Sequence, residues 1–162
     1  MKHFALIFLV ICPLLMAAQG KKVIKTNKIK SKTTTTTSTN KEGTTVTYKD
    51  TYEEFDKNGN TVVKIDYAKD GSIKKKESYK YDTFNNMIEQ TDFDKKRGTT
   101  ETTTYKYNAQ GDKISETVTN GDGKILKKET FTYDAKRLKT EQQEFDENNK
   151  LKTLKKFIYS TL

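Results

Sequence analysis

An aromatic pair followed by an Asp or Asn turn recurs along this chain at a fixed interval of 26 in the numbering. The stretch YKYDTFNN begins at Tyr79, YKYNAQGD begins at Tyr105 and FTYDAKRL begins at Phe131. A second turn lies within each unit, so the intervals between the residues that precede successive turns alternate between 12 and 14. A fixed period of this length is typical of repeat architectures, in which each unit is one supersecondary element. The sequence therefore predicts a repetitive fold.

The turns share a pattern of Asp or Asn at the first position and Gly or Asn at the fourth. This pattern is typical of a type I turn closed by a residue of positive φ, the three-residue hairpin loop. Two turns place Arg97 and Arg137 at the fourth position, and Gly98 can supply the positive φ in the first of these by lengthening the loop. The predicted turns are NKEG (40–43), DKNG (56–59), AKDG (68–71), DTFN (82–85), DKKR (94–97), NAQG (108–111), NGDG (120–123), DAKR (134–137) and DENN (146–149).

The segments between the turns are rich in Thr, Tyr, Phe, Ile and Val, which favour strands. We therefore predict an all-β protein. Residues 44–162 would form a repetitive antiparallel meander of about nine strands in one twisted or curled sheet. The basic, Thr-rich segment 21–43 can add a first strand. Only 32% of the residues are apolar, well below the share in ordinary globular domains, so a thick apolar core is not expected.

Loop length predicts which residues share a face of the sheet. If the residues that flank each three-residue loop pair with each other, Tyr81 faces Met87 and Tyr67 faces Ile73. Loops of odd length would then place all odd-numbered residues on one face, which we expect to be concave. Equivalent aromatic side chains on that face would be two strands, about 9.5 Å, apart. Five glutamates would lie between the aromatic rows: Glu77, Glu89, Glu101, Glu129 and Glu141.

Residues 1–20 predict a secretory signal peptide. Lys2 precedes an apolar run from Phe4 to Met16, and small residues follow it at Ala17 and Ala18. The run is shorter than the roughly 20 residues of a membrane-spanning helix. We expect an exported protein, periplasmic, outer-surface or secreted, with no transmembrane span after signal removal. A lipoprotein is the weaker alternative, because Ile11 precedes Cys12 where a lipobox needs Gly or Ala.

Composition argues against several kinds of chemistry. The single Cys and the single His lie inside the predicted signal peptide, so the mature chain would have no thiol nucleophile, no imidazole base and no soft metal ligand. We therefore predict a non-enzyme with no cofactor and no metal. The stretches DKNGN (56–60) and NGDGK (120–124) resemble calcium loops, but they lack the downstream bidentate Glu and are better interpreted as turns.

The stretch TTTYKYNAQGDKI (102–114), together with YKYD (79–82) and FTYD (131–134), resembles the YD-repeat, or rearrangement-hotspot, proteins. Their unit likewise alternates a Tyr-Asp-x-x-Gly turn with a second turn and a Thr-rich strand. The resemblance covers residues 52–159. It implies a spiralling β-sheet on a bacterial envelope or secreted protein, with surface binding or carbohydrate binding as its function.

Two sets of residues are candidates for binding. An aromatic set has rings that can stack on sugars or provide the packing of the sheet itself, which we favour. A basic set can bind acidic polysaccharide, lipid headgroups or nucleic acid, or can protect a sheet edge from aggregation. The aromatic set is Tyr79, Tyr81, Tyr105, Tyr107, Phe131 and Tyr133. The basic set is Lys21, Lys22, Lys25, Lys28, Lys30 and Lys32.

The leading functional hypothesis is a non-catalytic interaction surface for a protein partner or an acidic glycan. Export makes nucleic acid an unlikely partner despite a net charge of +9. Oligomerisation by edge pairing is a further hypothesis, and the lysines of segment 150–156 would oppose it. The alternative from another class is a glycan-processing enzyme that uses carboxylates on the concave face.

Overall fold

The computed structural model of the chain describes residues 13–160, with side chains from Gly20 to Ser160. Most of the predicted signal peptide, residues 1–12, lies outside this range. One helix, α1 (Pro13–Thr26), is followed by ten strands. The strands are β1 (Ser31–Thr39), β2 (Thr45–Phe55), β3 (Thr61–Tyr67), β4 (Ile73–Tyr81), β5 (Met87–Asp94), β6 (Thr99–Tyr107), β7 (Lys113–Asn120), β8 (Ile125–Tyr133), β9 (Lys139–Phe145) and β10 (Leu151–Lys156).

All ten strands form one open antiparallel sheet. Each strand pairs with the next one along the chain, and β1 and β10 are the two edges. The predicted all-β meander is confirmed, and β1 supplies the additional strand expected in segment 21–43. The beginning of segment 21–43 is helical, because α1 continues through its basic residues to Thr26. The lysine-rich β10 is an edge strand, as the edge-protection hypothesis requires.

The turn at residues 82–86 shows how the hairpins close. The N–H of Asp82 donates to the carbonyl of Asn86 at 3.0 Å, and the N–H of Asn85 donates to the carbonyl of Asp82 at 3.1 Å. The Asp82 carboxylate accepts the N–H groups of Phe84 and Asn86, both at 2.9 Å. Asn85 has a φ of 66°. The predicted type I turn with a left-handed fourth residue is confirmed, and the same two backbone bonds recur in seven further turns.

The two arginine-containing turns differ in which residue has the positive φ. Gly98 rather than Arg97 takes the positive φ, 65°, so the β5–β6 loop has four residues. Arg137 itself takes a φ of 65°, which is unfavourable for a long side chain. Its guanidinium makes a bidentate contact with Asp112 in the neighbouring turn, with the shortest distance 2.6 Å. This contact offsets part of the conformational cost.

The prediction that odd-numbered residues share one face is wrong. Tyr81 pairs with Met87 as expected, but Lys80 pairs with Glu89, because a β-bulge at Ile88 adds one residue to β5. Equivalent bulges follow the other three-residue loops from β2 onward, and the four-residue β5–β6 loop has none. Away from the loops, odd residues therefore pair with even ones. On one face of the sheet, the residue numbers are therefore odd in one strand, even in the next strand and odd again in the strand after that.

The corrected register separates the aromatic rows. One face, here the tyrosine face, contains Tyr79, Tyr105 and Phe131. The other, here the threonine face, contains Phe93, Thr102 and Thr117, because Phe93 pairs with Lys76, one residue out of step with Tyr79. The five glutamates are also divided. Glu77, Glu101 and Glu129 lie on the tyrosine face, whereas Glu89 and Glu141 lie on the threonine face.

The sheet is a single layer with almost no interior. Among the side chains that the structure describes, the buried ones are Phe131, 6% exposed, and Asn60, 5% exposed. Stability therefore depends on cross-strand pairs, each of which contributes tenths of a kcal/mol to about 1 kcal/mol. Lys127 of β8 shows such a pair, because its ammonium group lies 3.8 Å from Glu144 of β9, and it also lies 2.9 Å from Glu129 on its own strand.

Candidate functional site

The second tyrosine of each aromatic pair binds the backbone at a bulge. The hydroxyl of Tyr107 donates to the carbonyl of Met87, the first residue of β5, at 2.8 Å. A bulge disrupts the ladder locally, and the hydroxyl supplies a donor there. Sequence reasoning missed this role. The sequence does contain a signal for this role: the second aromatic of each pair is always Tyr, whereas the first is Tyr or Phe. The equivalent bonds join Tyr81 to Thr61, Tyr133 to Lys113 and Tyr159 to Lys139, at 3.0, 2.8 and 2.8 Å.

The first aromatics of the last three pairs, Tyr105, Phe131 and Phe157, lie close to lysines from the odd-numbered strands β7 and β9. The Lys113 ammonium group lies 5.2 Å from the ring centroid of Tyr105 and 5.1 Å from that of Phe131. Lys139 covers Phe131 from the other side at 4.5 Å. These are cation–π distances. Met87 holds the position of Lys113 in the preceding repeat. Lysines thus cover the faces of Phe131, which favours the packing interpretation of the aromatic set over sugar stacking.

Two of the tyrosine-face glutamates, Glu77 and Glu129, are held in ion pairs. Burial raises the pKa of Glu77, but the hydrogen bond and charge of Lys75, 2.6 Å away, together with Lys64, bring its net pKa below the usual value. Glu129 is likewise contacted by Lys127. A general acid for glycoside cleavage needs a raised carboxyl pKa. The environment of Glu77 favours a structural ion pair over that role.

The turn carboxylates that resembled calcium ligands bind their own backbone. Asp56 accepts hydrogen bonds from the N–H groups of Asn58 and Asn60 at 2.8 and 2.9 Å, and from the side-chain amide of Asn60 at 2.7 Å. Partial burial raises the pKa of Asp56, but these hydrogen bonds and the nearby Lys21 bring the net pKa below normal. Asn120 accepts the backbone N–H groups of Asp122 and Lys124 in the same way. Both stretches function as turns.

The N-terminal segment docks on the β2–β3 turn. Gly59 has a φ of 80°, and a Cβ atom there would lie 2.6 Å from the carbonyl oxygen of Lys21 and 3.3 Å from Cβ of Lys25. A Cβ at Gly71, which has a similar φ, would meet open space. The buried Asn60 donates to Asn85 at 3.1 Å and so links this turn to the β4–β5 turn beside it. Two neighbouring turns therefore form a rigid support for α1.

Lysines gather where α1 meets this support. Lys21, Lys22 and Lys25 line a cleft of about 290 Å³ with Asn58 and Asn85, and no carboxylate lines it. These lysines are helical and do not lie on an edge strand, so edge protection does not explain them. Of the basic set, Lys32 lies in β1 and pairs with Glu53. In residues 13–160, the other five make no salt bridge: Lys21, Lys22, Lys25, Lys28 and Lys30.

The chain belongs to a family of proteins described as uncharacterised, whose family model matches residues 15–161. No curated protein matches the chain. Within residues 13–160, no helix is both long enough and apolar enough to cross a membrane, and α1 has 14 residues. The resemblance to YD-repeat proteins stays a prediction.

Proposed function

We propose that this protein is an exported, non-catalytic β-repeat protein that acts as an interaction surface and binds an acidic glycan. Binding begins at the lysine cleft, which Lys21, Lys22 and Lys25 form with Asn58 and Asn85. The observation that supports this most is a cluster of lysines that form no salt bridge within residues 13–160, held on two linked turns, in a chain of net charge +9.

The environment of the cleft suits an anion. The side-chain amides of Asn58 and Asn85 add neutral donors beside the ammonium groups. A flexible polyanion that neutralises several lysines is attracted electrostatically, so its affinity falls as salt rises. An acidic glycan satisfies this charge requirement and is compatible with an exported protein.

Two matched triple variants test the proposal against nonspecific charge attraction. We expect Lys21→Gln/Lys22→Gln/Lys25→Gln to weaken binding of hyaluronate at least tenfold near physiological salt. The control changes the same number of exposed lysines on the opposite row of turns, namely Lys69, Lys95 and Lys96, and is expected to weaken binding less than twofold. Binding is measured by titration calorimetry at several salt concentrations.

Three results would count against acidic-glycan binding at the cleft. The first is a wild-type protein with no affinity for hyaluronate or for other acidic polysaccharides. The second is an equal loss of affinity in the two triple variants, which would indicate a delocalised charge effect. The third is tight capture of a protein partner that depends on the cleft lysines, without glycan binding, which would support the protein-partner hypothesis instead.

A further inference from the structure

Three grooves recur along the row of turns that follow β2, β4 and β6. Their volumes are about 750, 790 and 830 Å³. The first lies between the end of α1 and the β2–β3 hairpin. The second and third lie between successive hairpins. Each has an apolar floor and at least one lysine: Phe55, Val62 and Lys57 in the first, Val62, Ile88 and Lys80 in the second, and Ile88, Ile114 and Lys106 in the third. Carboxylates also line the grooves: Glu54 and Asp56 in the first, Asp56 and Asp82 in the second, and Asp82 in the third.

The second and third grooves are copies of each other displaced by one repeat. Val62, Lys80 and Ile88 of the second groove correspond to Ile88, Lys106 and Ile114 of the third, one repeat later in the chain. Equivalent points of the two grooves are two strands, about 9.5 Å, apart. This row of turns therefore presents a periodic surface.

Apart from Phe55, the floor residues are those that the bulges insert. Val62, Ile88 and Ile114 have no cross-strand partner in the ladder, and Ile88 and Ile114 are each 37% exposed. Bulge geometry does not require an apolar side chain. The other bulges of the same type contain Lys74, Leu126, Thr140 and Lys152. Three consecutive bulges along one row of turns thus contain β-branched apolar residues, before Thr140 at the fourth.

We propose that these grooves bind successive units of one extended acidic glycan, which continues from the lysine cleft along the row of turns. The inference rests on the proposed function and specifies its ligand as a linear polymer. An extended glycan with a two-sugar repeat presents an apolar ring face at a spacing comparable to that of the grooves. The floor residues contact ring faces, while Lys57 and Lys106, which form no salt bridge in residues 13–160, contact the acidic groups; Lys80 lies 2.7 Å from Glu89 and is already paired.

The test uses hyaluronate oligosaccharides of increasing length and two matched double variants. Ile88→Thr/Ile114→Thr removes apolar floor while keeping a β-branched residue, which the native Thr140 shows a bulge to accept. Ile73→Thr/Ile125→Thr is the control, because these residues are 38% and 42% exposed and lie beside the opposite row of turns. Circular dichroism verifies that both variants fold.

For the wild-type protein, affinity is expected to rise with each added disaccharide until three grooves are occupied and then to level off. The floor variant should bind long oligosaccharides about tenfold more weakly and reach its plateau at a shorter length. The control should change affinity less than twofold. Affinity that rises smoothly with charge in the wild-type protein would overturn the proposal, and this measurement needs no variant.

Polyphosphate separates this proposal from the proposed function, because it is a linear polyanion without sugar rings. The floor variant should bind polyphosphate as the wild-type protein does, whereas the cleft triple variant should bind it more weakly. If the floor variant binds long oligosaccharides normally, the groove proposal fails and the cleft proposal stands. If the wild-type protein binds neither polymer, both fail.

Discussion

Replacing Tyr107 with Phe would remove one hydroxyl group from the middle of the sheet and leave its ring in place. That hydroxyl donates to the carbonyl of Met87 at 2.8 Å across the bulge. Burial of the phenol raises its pKa, so the neutral donor is the species present at neutral pH. A net intramolecular hydrogen bond contributes about 0.5–1.5 kcal/mol. We expect the free energy of unfolding to fall by about 1 kcal/mol, a factor of about five in the equilibrium constant.

The sequence offers a matched control on the same strand. Tyr105→Phe removes a hydroxyl from the first aromatic of the same pair, at a position where the later repeats have Phe131 and Phe157. We expect a change within about 0.5 kcal/mol for this variant. The triple variant Tyr81→Phe/Tyr107→Phe/Tyr133→Phe should lose about 3 kcal/mol if the sites act independently.

Urea unfolding followed by far-ultraviolet circular dichroism measures these differences. A lower midpoint at an unchanged slope indicates loss of stability. A Tyr107→Phe variant as stable as the wild-type protein would refute the role of the hydroxyl. A Tyr105→Phe variant that loses as much stability would show that any tyrosine hydroxyl on this face has the same effect.

Two further predictions concern the turns. Gly59→Ala should release the N-terminal segment, because Cβ would meet the Lys21 carbonyl oxygen, and limited trypsin digestion near residues 21–30 should become faster. Gly71→Ala has the same φ penalty in open space, so it should leave that digestion unchanged, and equal digestion of both variants would argue against docking. The Arg137 hydrogen bond chiefly lowers the pKa of Asp112, so its stabilisation is full above the unfolded pKa of about 3.9 and is lost as pH falls through the lower folded value. The melting temperature of the wild-type protein should therefore decrease as the pH is lowered below about 4. The melting temperature of the Asp112→Asn variant should decrease less over the same pH interval. An identical pH profile for the variant would contradict this assignment.

Turn positions and strands were predictable because their signals are local. Asp82 at the start of a turn and Asn85 at its left-handed position specify the loop directly. Pairing next to the loop, Tyr81 with Met87, follows from loop length alone. These residues were sufficient to predict an antiparallel meander.

The faces of the sheet were not predictable from the same signals. A bulge has no fixed residue type here, since Lys74, Ile88 and Thr140 all occupy one. One inserted residue exchanges the two faces of a strand. The sequence therefore favoured a simpler register that placed Phe93 on the same face as Tyr81.

The candidate site depended on tertiary contacts that no local pattern indicates. The lysines were recognisable as a basic segment, but only the docking of α1 on the β2–β3 turn brings Lys21 to Gly59. The groove floors became visible only after the bulges were located, because Val62, Ile88 and Ile114 are the residues that the bulges insert.

The corrected register is tested most directly by nuclear magnetic resonance, through backbone proton contacts between β4 and β5. The structure predicts that Glu77 lies opposite Asp92 and Lys80 lies opposite Glu89. Contacts of Glu77 with Thr91 and of Lys80 with Ile88 would mean that no bulge is present. The two faces, the tyrosine hydroxyl bonds at the bulges and the periodic groove floor would then all be wrong.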